Sequence, residues 1–163
     1  MFITVGMGEG AVAIAPHIIT AVGCGSCVIL TLYDAKTKVG GMAHIMLPSR
    51  DAAGIAPVSD CADAFQYADT GVHALVEEMR RKGASLKDTV ARIAGGAAMF
   101  PSYAAASAGI GKWNIKGVRD ALKREGIPLA GYDVGGSHGR DVEFHVASGR
   151  VVVRAFGRAD REI

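Results

Sequence analysis

The sequence predicts an α/β fold, a single layered domain with a mixed β-sheet flanked by two main helices, and three observations carry that reading. Short apolar runs with alternation or β-branched content recur along the 163 residues, as strands packed on a core require. Two other stretches place apolar residues at 3–4 spacing and end on glycine, the pattern of amphipathic helices with a left-handed stop. Strands lie before and after these helices and the chain closes on a hairpin, which favours helices layered on a mixed sheet.

The strand-like runs are 12–22, 28–33, 39–47, 90–94, 129–134, 142–147 and 151–156. The last two flank Ser148-Gly149-Arg150 and read as a hairpin turning on Gly149. The first helix is expected over 61–82, with Phe65, Ala68, Val72, Leu75, Val76 and Met79 as its apolar stripe and Gly83 as its stop. The second is expected over 114–125, with Asn114 as N-cap, Val118 and Leu122 facing inward and Gly126 as stop. Residues 48–61 read as a long loop and 102–111 as an irregular, Ala-rich stretch. Neither reads as a boundary, so 1–163 is taken as one domain.

Composition narrows the function classes. Half of the residues are hydrophobic, and the formal net charge is only +2, with Lys and Arg scattered along the chain. That is too little positive charge, too dispersed, for a nucleic-acid surface. No apolar run approaches the roughly 18 residues a membrane span needs. The start, Met1-Phe2-Ile3-Thr4-Val5-Gly6, lacks the basic flank and long apolar run of a targeting segment. Three cysteines are an odd, sparse set, unlike a secreted disulfide framework. A cytoplasmic protein with reduced thiols is expected.

The chemistry-bearing stretch is Gly23-Cys24-Gly25-Ser26-Cys27-Val28, followed by a strand, a short crossing at Ala35-Lys36-Thr37-Lys38, and a return through Gly40-Gly41-Met42-Ala43-His44. If the two runs form a hairpin closing over Asp34 to Thr37, Tyr33 meets Lys38 and Cys27 meets His44. Directly opposed residues have Cβ atoms about 4.5–5.5 Å apart on one face, close enough for a thiol–imidazole bond. A slip by one residue would separate them, and a bulge at Gly40-Gly41 would cause it. Gly25 and its neighbours let the backbone approach a substrate, and the N–H groups of Ser26 and Cys27 could converge on a developing oxyanion. His44 would favour the reactive thiolate and return a proton to the leaving group. These residues point to acyl transfer through a thioester, with Cys27 as nucleophile, His44 as base, and Gly25 and Ser26 at the oxyanion or substrate.

Bland readings stand beside this one. A cysteine on a strand is commonly a small buried hydrophobe, and a single histidine commonly a structural residue. Cys24 and Cys27 also form a C-x-x-C, which suits a redox motif or half of a zinc site. The redox reading wants a helix start at the motif, where a strand is expected. The zinc reading lacks a second pair, since Cys61 stands alone and the histidines are dispersed.

At this point the sequence resembles the chemoreceptor glutamine deamidases, the CheD family. The shared marks are Gly23-Cys24-Gly25-Ser26-Cys27-Val28, then Gly41-Met42-Ala43-His44-Ile45-Met46-Leu47-Pro48, then Ala94-Gly95-Gly96-Ala97-Ala98-Met99-Phe100. Ile110-Gly111 with Asn114 follows, and then Gly135-Gly136-Ser137-His138-Gly139-Arg140, with Tyr67-Ala68-Asp69 and Asp133 in keeping. The marks run in order over nearly the whole chain. The resemblance implies an α/β deamidase domain that converts glutamines of methyl-accepting chemotaxis receptors to glutamates. It also implies the CheC phosphatase as partner and no metal or organic cofactor. It carries the nucleophile onto Cys27 and the base onto His44. The family usually adds a threonine six positions before the nucleophile, where this chain has Ala21. Thr20 lies beside it, but strand alternation turns neighbours to opposite faces, so a dyad is expected. Cys24 replaces a usual apolar residue, which raises the idea of a Cys24–Cys27 disulfide that silences the nucleophile. Lys112-Trp113 stands where an arginine is typical.

The remaining candidates have plainer readings. His17, His73, His138 and His145 are expected to be structural or exposed, with His138 the one nearest to site-like sequence. Arg140 is expected in a surface salt bridge. Met42, Met46 and Met99 are core fillers or an apolar rim, and Trp113 is either an exposed anchor or buried against the second helix. Two functions compete with the deamidase: a weakly or non-catalytic chemotaxis adaptor that binds CheC or receptors, and a C-x-x-C redox protein.

Overall fold

The computed structural model describes residues 1–51, 61–99 and 109–163, the side chains of 61 and 62 excepted. The loop expected over 48–61 and the Ala-rich stretch over 102–111 fall mostly outside these residues. Among the described residues, ten strands form two five-stranded sheets. One sheet runs β1 (Phe2–Thr4), β3 (Ile18–Cys24), β8 (Arg140–His145), β9 (Arg150–Arg154), β10 (Arg161–Glu162). The other runs β2 (Gly10–Ile14), β5 (Val39–Ile45), β4 (Val28–Asp34), β6 (Thr89–Gly95), β7 (Leu129–Val134). Each has one parallel pair, β1–β3 and β6–β7, among antiparallel ones. The α/β class, the mixed sheet and the two main helices stand as read, with the strands divided over two such sheets.

The second sheet is the middle layer. Val28, Leu30 and Leu32 face a core shared with α1 (Ala68–Arg81) and α2 (Ile110–Glu125), while Ile29 and Tyr33 face a core shared with the first sheet. Every residue of β4 and β5 is therefore buried, and their sequences read as continuous apolar runs. Both stripes of α1 and α2 pack on this sheet, through Val72, Leu75, Val76 and Met79 on one and Val118, Ala121 and Leu122 on the other.

Three expectations about elements are corrected. The run 12–22 is two strands in different sheets, broken at Ala15-Pro16-His17, because Pro16 has no N–H to give to a ladder. The helix expected over 61–82 is a 3₁₀ segment (Cys61–Gln66), an extended Tyr67 bridged to Leu47, and then α1. The second helix begins a turn earlier than Asn114, with Gly109 at its N-cap. Its stop is as read: Gly126 adopts φ +72, and Ile127 N–H returns to Leu122 O at 3.0 Å.

The hairpin register also differs. Asp34 pairs with Val39, the loop spans 35–38, and Ile29 lies opposite His44. Asp34 ends the strand because its buried carboxylate accepts from Lys36 N at 2.9 Å, Thr37 N at 3.4 Å and Ser85 N at 2.9 Å. Lys38 takes the left-handed conformation, φ 55, to close the loop. The ladder continues through Gly40 and Gly41 without a bulge. Glycine there permits close layers, since a Cβ on Gly40 would lie 2.6 Å from the Phe144 ring.

Candidate active site

The two-residue change in register preserves the face. Cys27, just before β4, is no longer opposite His44 but diagonal to it, and such neighbours sit about 7–8 Å apart. Both belong to the side facing the first sheet, where Cys27 packs against the cluster of Ile29, Met42 and Cys24. His44 is 1% exposed, and neither ring nitrogen has a hydrogen-bond partner among the described residues. No Cys27–His44 hydrogen bond is formed. In resting enzymes such bonds are often long and tighten only around substrate. Burial pulls the His44 pKa below the usual imidazole range, with a smaller opposing pull from the Val5 backbone. Burial likewise pushes the Cys27 thiol up, opposed by its own backbone N–H. The resting pair is thus a neutral imidazole and a thiol.

The loop that carries Cys27 is fixed by its carbonyls. Gly25 O accepts from Ala97 N at 3.0 Å, Ser26 O from Asn114 Nδ2 at 2.9 Å, and Cys27 O from Gly96 N at 2.7 Å. The Cys24 thiol donates to the same Cys27 O at 3.1 Å. All three carbonyls of the loop are engaged, whereas the N–H groups of Gly25 and Ser26 have no partner among the described residues and that of Cys27 meets only its own thiol. Gly95 is needed beneath, because a Cβ there would lie 2.3 Å from Cys27 O. This arrangement can present amide donors to an anion beside a thiol.

Ala21 is fully buried between the sheets, and Thr20 points the other way, 3.4 Å from the Thr4 hydroxyl and 3.5 Å from Ile3 O. The irregularity in β3 falls after Ala21, so it leaves Thr20 on the outer face. Cys24 is a buried free thiol whose pKa is pushed up to about 12 by burial and by neighbouring Cys27, despite the opposing Arg140 charge.

Other candidates land as follows. Arg140 is not on the surface: its side chain is buried and pairs with Asp133 at 3.0 Å, bracing the late glycine loop. That loop adjoins the site, since Gly135 N donates to Gly95 O and Ala98 N to Gly136 O. His138 is half-buried within it, with Nδ1 unpartnered among the described residues. Met42 is core, whereas Met99 is partly exposed and would touch a Cβ on Gly25 at 3.0 Å. Trp113 is 60% exposed. It borders a groove of about 830 Å³ that Leu47, Pro48, Lys116 and Arg124 also line. His17, His73 and His145 bond to Ile14 O, Glu125 and Glu143 respectively. Among the described residues no group of three or more His, Cys, Asp or Glu could hold a metal ion. No helix among them is long and apolar enough to cross a membrane.

The residue that sequence reasoning misplaced is Asn114. It lies inside α2, fully buried, and its Nδ2 donates to both Ser26 O and Met46 O at 2.9 Å. The available signal was helical phase: Asn114 occupies the inward stripe with Val118, Ala121 and Leu122, where a polar residue calls for an internal partner.

A family profile described as "CheD chemotactic sensory transduction" matches residues 46–155. The chemoreceptor glutamine deamidase CheD of Thermotoga maritima is 40% identical over 157 residues, 96% of this chain and 94% of that protein. Probable chemoreceptor glutamine deamidases CheD from Caldanaerobacter subterraneus subsp. tengcongensis and Desulfitobacterium hafniense are 39% and 43% identical. The first match covers 98% of this chain and 96% of the relative, the second 99% and 98%. The profile begins after His44, but these relatives span the segment that bears Cys27 and His44. With more than half the chain matched by the profile and nearly all of it by each relative, the protein belongs to the CheD family.

Proposed function

We propose that residues 1–163 form one glutamine deamidase domain that converts glutamines of methyl-accepting chemotaxis receptors to glutamates in the cytoplasm. The observation that carries this reading is the loop at Cys27: its carbonyls are all engaged, its Gly25 and Ser26 amides have no partner among the described residues, and His44 shares its face. Substrate glutamine enters beside Cys27. As Sγ bonds to the carboxamide carbon, the thiol proton passes to His44, and the oxyanion is received by amides of the Gly25–Ser26–Cys27 turn. His44 then protonates the departing nitrogen, ammonia leaves, and a thioester remains. Water gives a proton to His44 and its oxygen to the thioester carbon. Glutamate is released, and Cys27 regains its proton. No metal or organic cofactor enters these steps.

The test is mass spectrometry of a receptor cytoplasmic fragment, following the rise of about 1 Da that turns amide into acid. Wild type is expected to produce it, and Cys27→Ala and His44→Ala to abolish it. Deamidation that survives Cys27→Ala would overturn the mechanism.

A second reading has its own observation. The His44 ring has no hydrogen-bond partner among the described residues and Ala21 offers no hydroxyl to orient it, which suits a weakly catalytic adaptor that binds the CheC phosphatase or receptors. Binding of either without deamidation would favour it. The redox reading loses support, because the Cys24 thiol is buried, bonded to a backbone carbonyl and held protonated.

A further inference from the structure

The hydrogen-bond ladder between β4 and β5 ends at Val28 and Ile45. Cys27 lies just beyond it on one side and Met46 on the other, so no strand bonding holds the nucleophile loop to the end of the His44 strand. Asn114 bridges that gap. A single Nδ2 donates one hydrogen to Ser26 O and the other to Met46 O, each at 2.9 Å. Ser26 immediately precedes Cys27, and Met46 is two residues beyond His44.

The choice of residue fits the task. Asparagine carries two donors on one nitrogen at the end of a short stem. Aspartate lacks the donors, serine has only one, and glutamine is a methylene longer. The position is costly for mere packing: Asn114 is fully buried on the inward stripe of α2, and its Oδ1 has no partner among the described residues. Leucine would fill such a place without an unpaired acceptor. The helix is itself pressed onto the site, since a Cβ on Gly111 would lie 2.4 Å from Gly96 O, and Gly96 N holds Cys27 O.

We propose that Asn114 is a positioning residue, a cross-brace that sets the separation of Cys27 and His44 by tying the loop of one to the strand end of the other. The inference rests on the Cys27–His44 reading of the site. It requires loss of the brace to uncouple thiol from imidazole while leaving substrate docking in place.

Asn114→Leu tests it, with three readouts on the full chain: thermal unfolding, the pH profile of Cys27 alkylation by iodoacetamide, and deamidation of a receptor cytoplasmic fragment. The expected result is a folded protein whose kcat falls about 100-fold, the penalty typical of a misplacement near 1 Å, with KM within about twofold. Its alkylation profile is expected to move to that of His44→Ala. If the leucine variant does not fold, Asn114→Ser replaces it. One restored donor is expected to give an intermediate kcat and an intermediate profile. A folded variant that keeps the wild-type alkylation profile overturns the proposal, even if kcat drops, because a purely structural loss would not act through the thiol's titration. If wild type and His44→Ala share one profile, the pairing beneath the proposal is wrong. Alkylation needs no substrate, so a wild type that fails to deamidate would sink the deamidase reading and leave the Asn114 arm decisive.

Discussion

Substituting Gly95 by alanine should damage the site through the carbonyl that fixes Cys27. The added Cβ would lie 2.3 Å from Cys27 O and 2.5 Å from the Cys24 sulfur, at a backbone φ of +113. Reaching even the 3.0 Å floor of real Cβ contacts demands a displacement of at least 0.7 Å, and the Cys27 carbonyl sits on the residue proposed as the nucleophile. Misplacement by about 1 Å costs on the order of 100-fold in rate, so a fall of roughly 30- to 100-fold in kcat is expected, about 2–3 kcal/mol of barrier. Stability falls too. The strained backbone costs about 1–3 kcal/mol, and the bond from Gly96 N to Cys27 O contributes roughly 0.5–1.5 kcal/mol more. Domains of this kind hold about 5–15 kcal/mol, so the variant still folds. The assay pairs receptor-fragment deamidation with thermal unfolding. Gly157→Ala is the control: φ is +70 there, but nothing lies within 4 Å of a Cβ. A folded Gly95→Ala enzyme with kcat within threefold of wild type would refute the link between the Cys27 carbonyl and catalysis.

Three further outcomes are expected. Because burial depresses the His44 pKa below its ordinary 6.5, the unfolded chain takes up a proton that the folded one refuses. Stability therefore drops as pH falls below 6.5 and levels off once the folded pKa is passed; urea melts across pH should show this, and His44→Gln should flatten it. Asp34 is buried, which by itself raises its pKa, but the amides of Ser85 and Lys36 outweigh that and hold it below 3.8. Asp34→Ala is expected to cost about 2–3 kcal/mol in denaturant unfolding at neutral pH. The aspartate's contribution fades as pH falls below 3.8 through the folded pKa. Cys24→Ala should leave the oxidant sensitivity of deamidation unchanged, since burial pushes the Cys24 thiol pKa up to about 12; a clear loss of sensitivity would revive a Cys24–Cys27 disulfide.

What the sequence disclosed follows from what local patterns encode. The strands at 28–33, 39–47, 90–94 and 129–134 and the stops at Gly83 and Gly126 are local signals, and the structure reproduces them closely. The division into two sheets is not local. β2 and β3 have similar apolar content, and only their remote partners, β5 and β8, assign them to different layers. The hairpin register turned on Asp34, which a turn-residue rule places in the loop but which bonds to Ser85 N, 51 residues away. The face shared by Cys27 and His44 survived because the register moved by two, an even number. Asn114 was hidden by the same property that makes it useful: an asparagine near a helix start reads as a cap, and its acceptors lie 88 and 68 residues upstream.

Those separations bear on biosynthesis. Cys27 is made before its supports: the amides of Gly96 and Ala97 and the side chain of Asn114 that shape its turn arrive 69 or more residues later. A nascent chain on the ribosome thus exposes an ordinary thiol, with no pocket around it, until α2 has been synthesised and has docked. The proposed chemistry of Cys27 would wait on that helix, so translation products truncated before Asn114 carry the thiol without the supports that shape its turn.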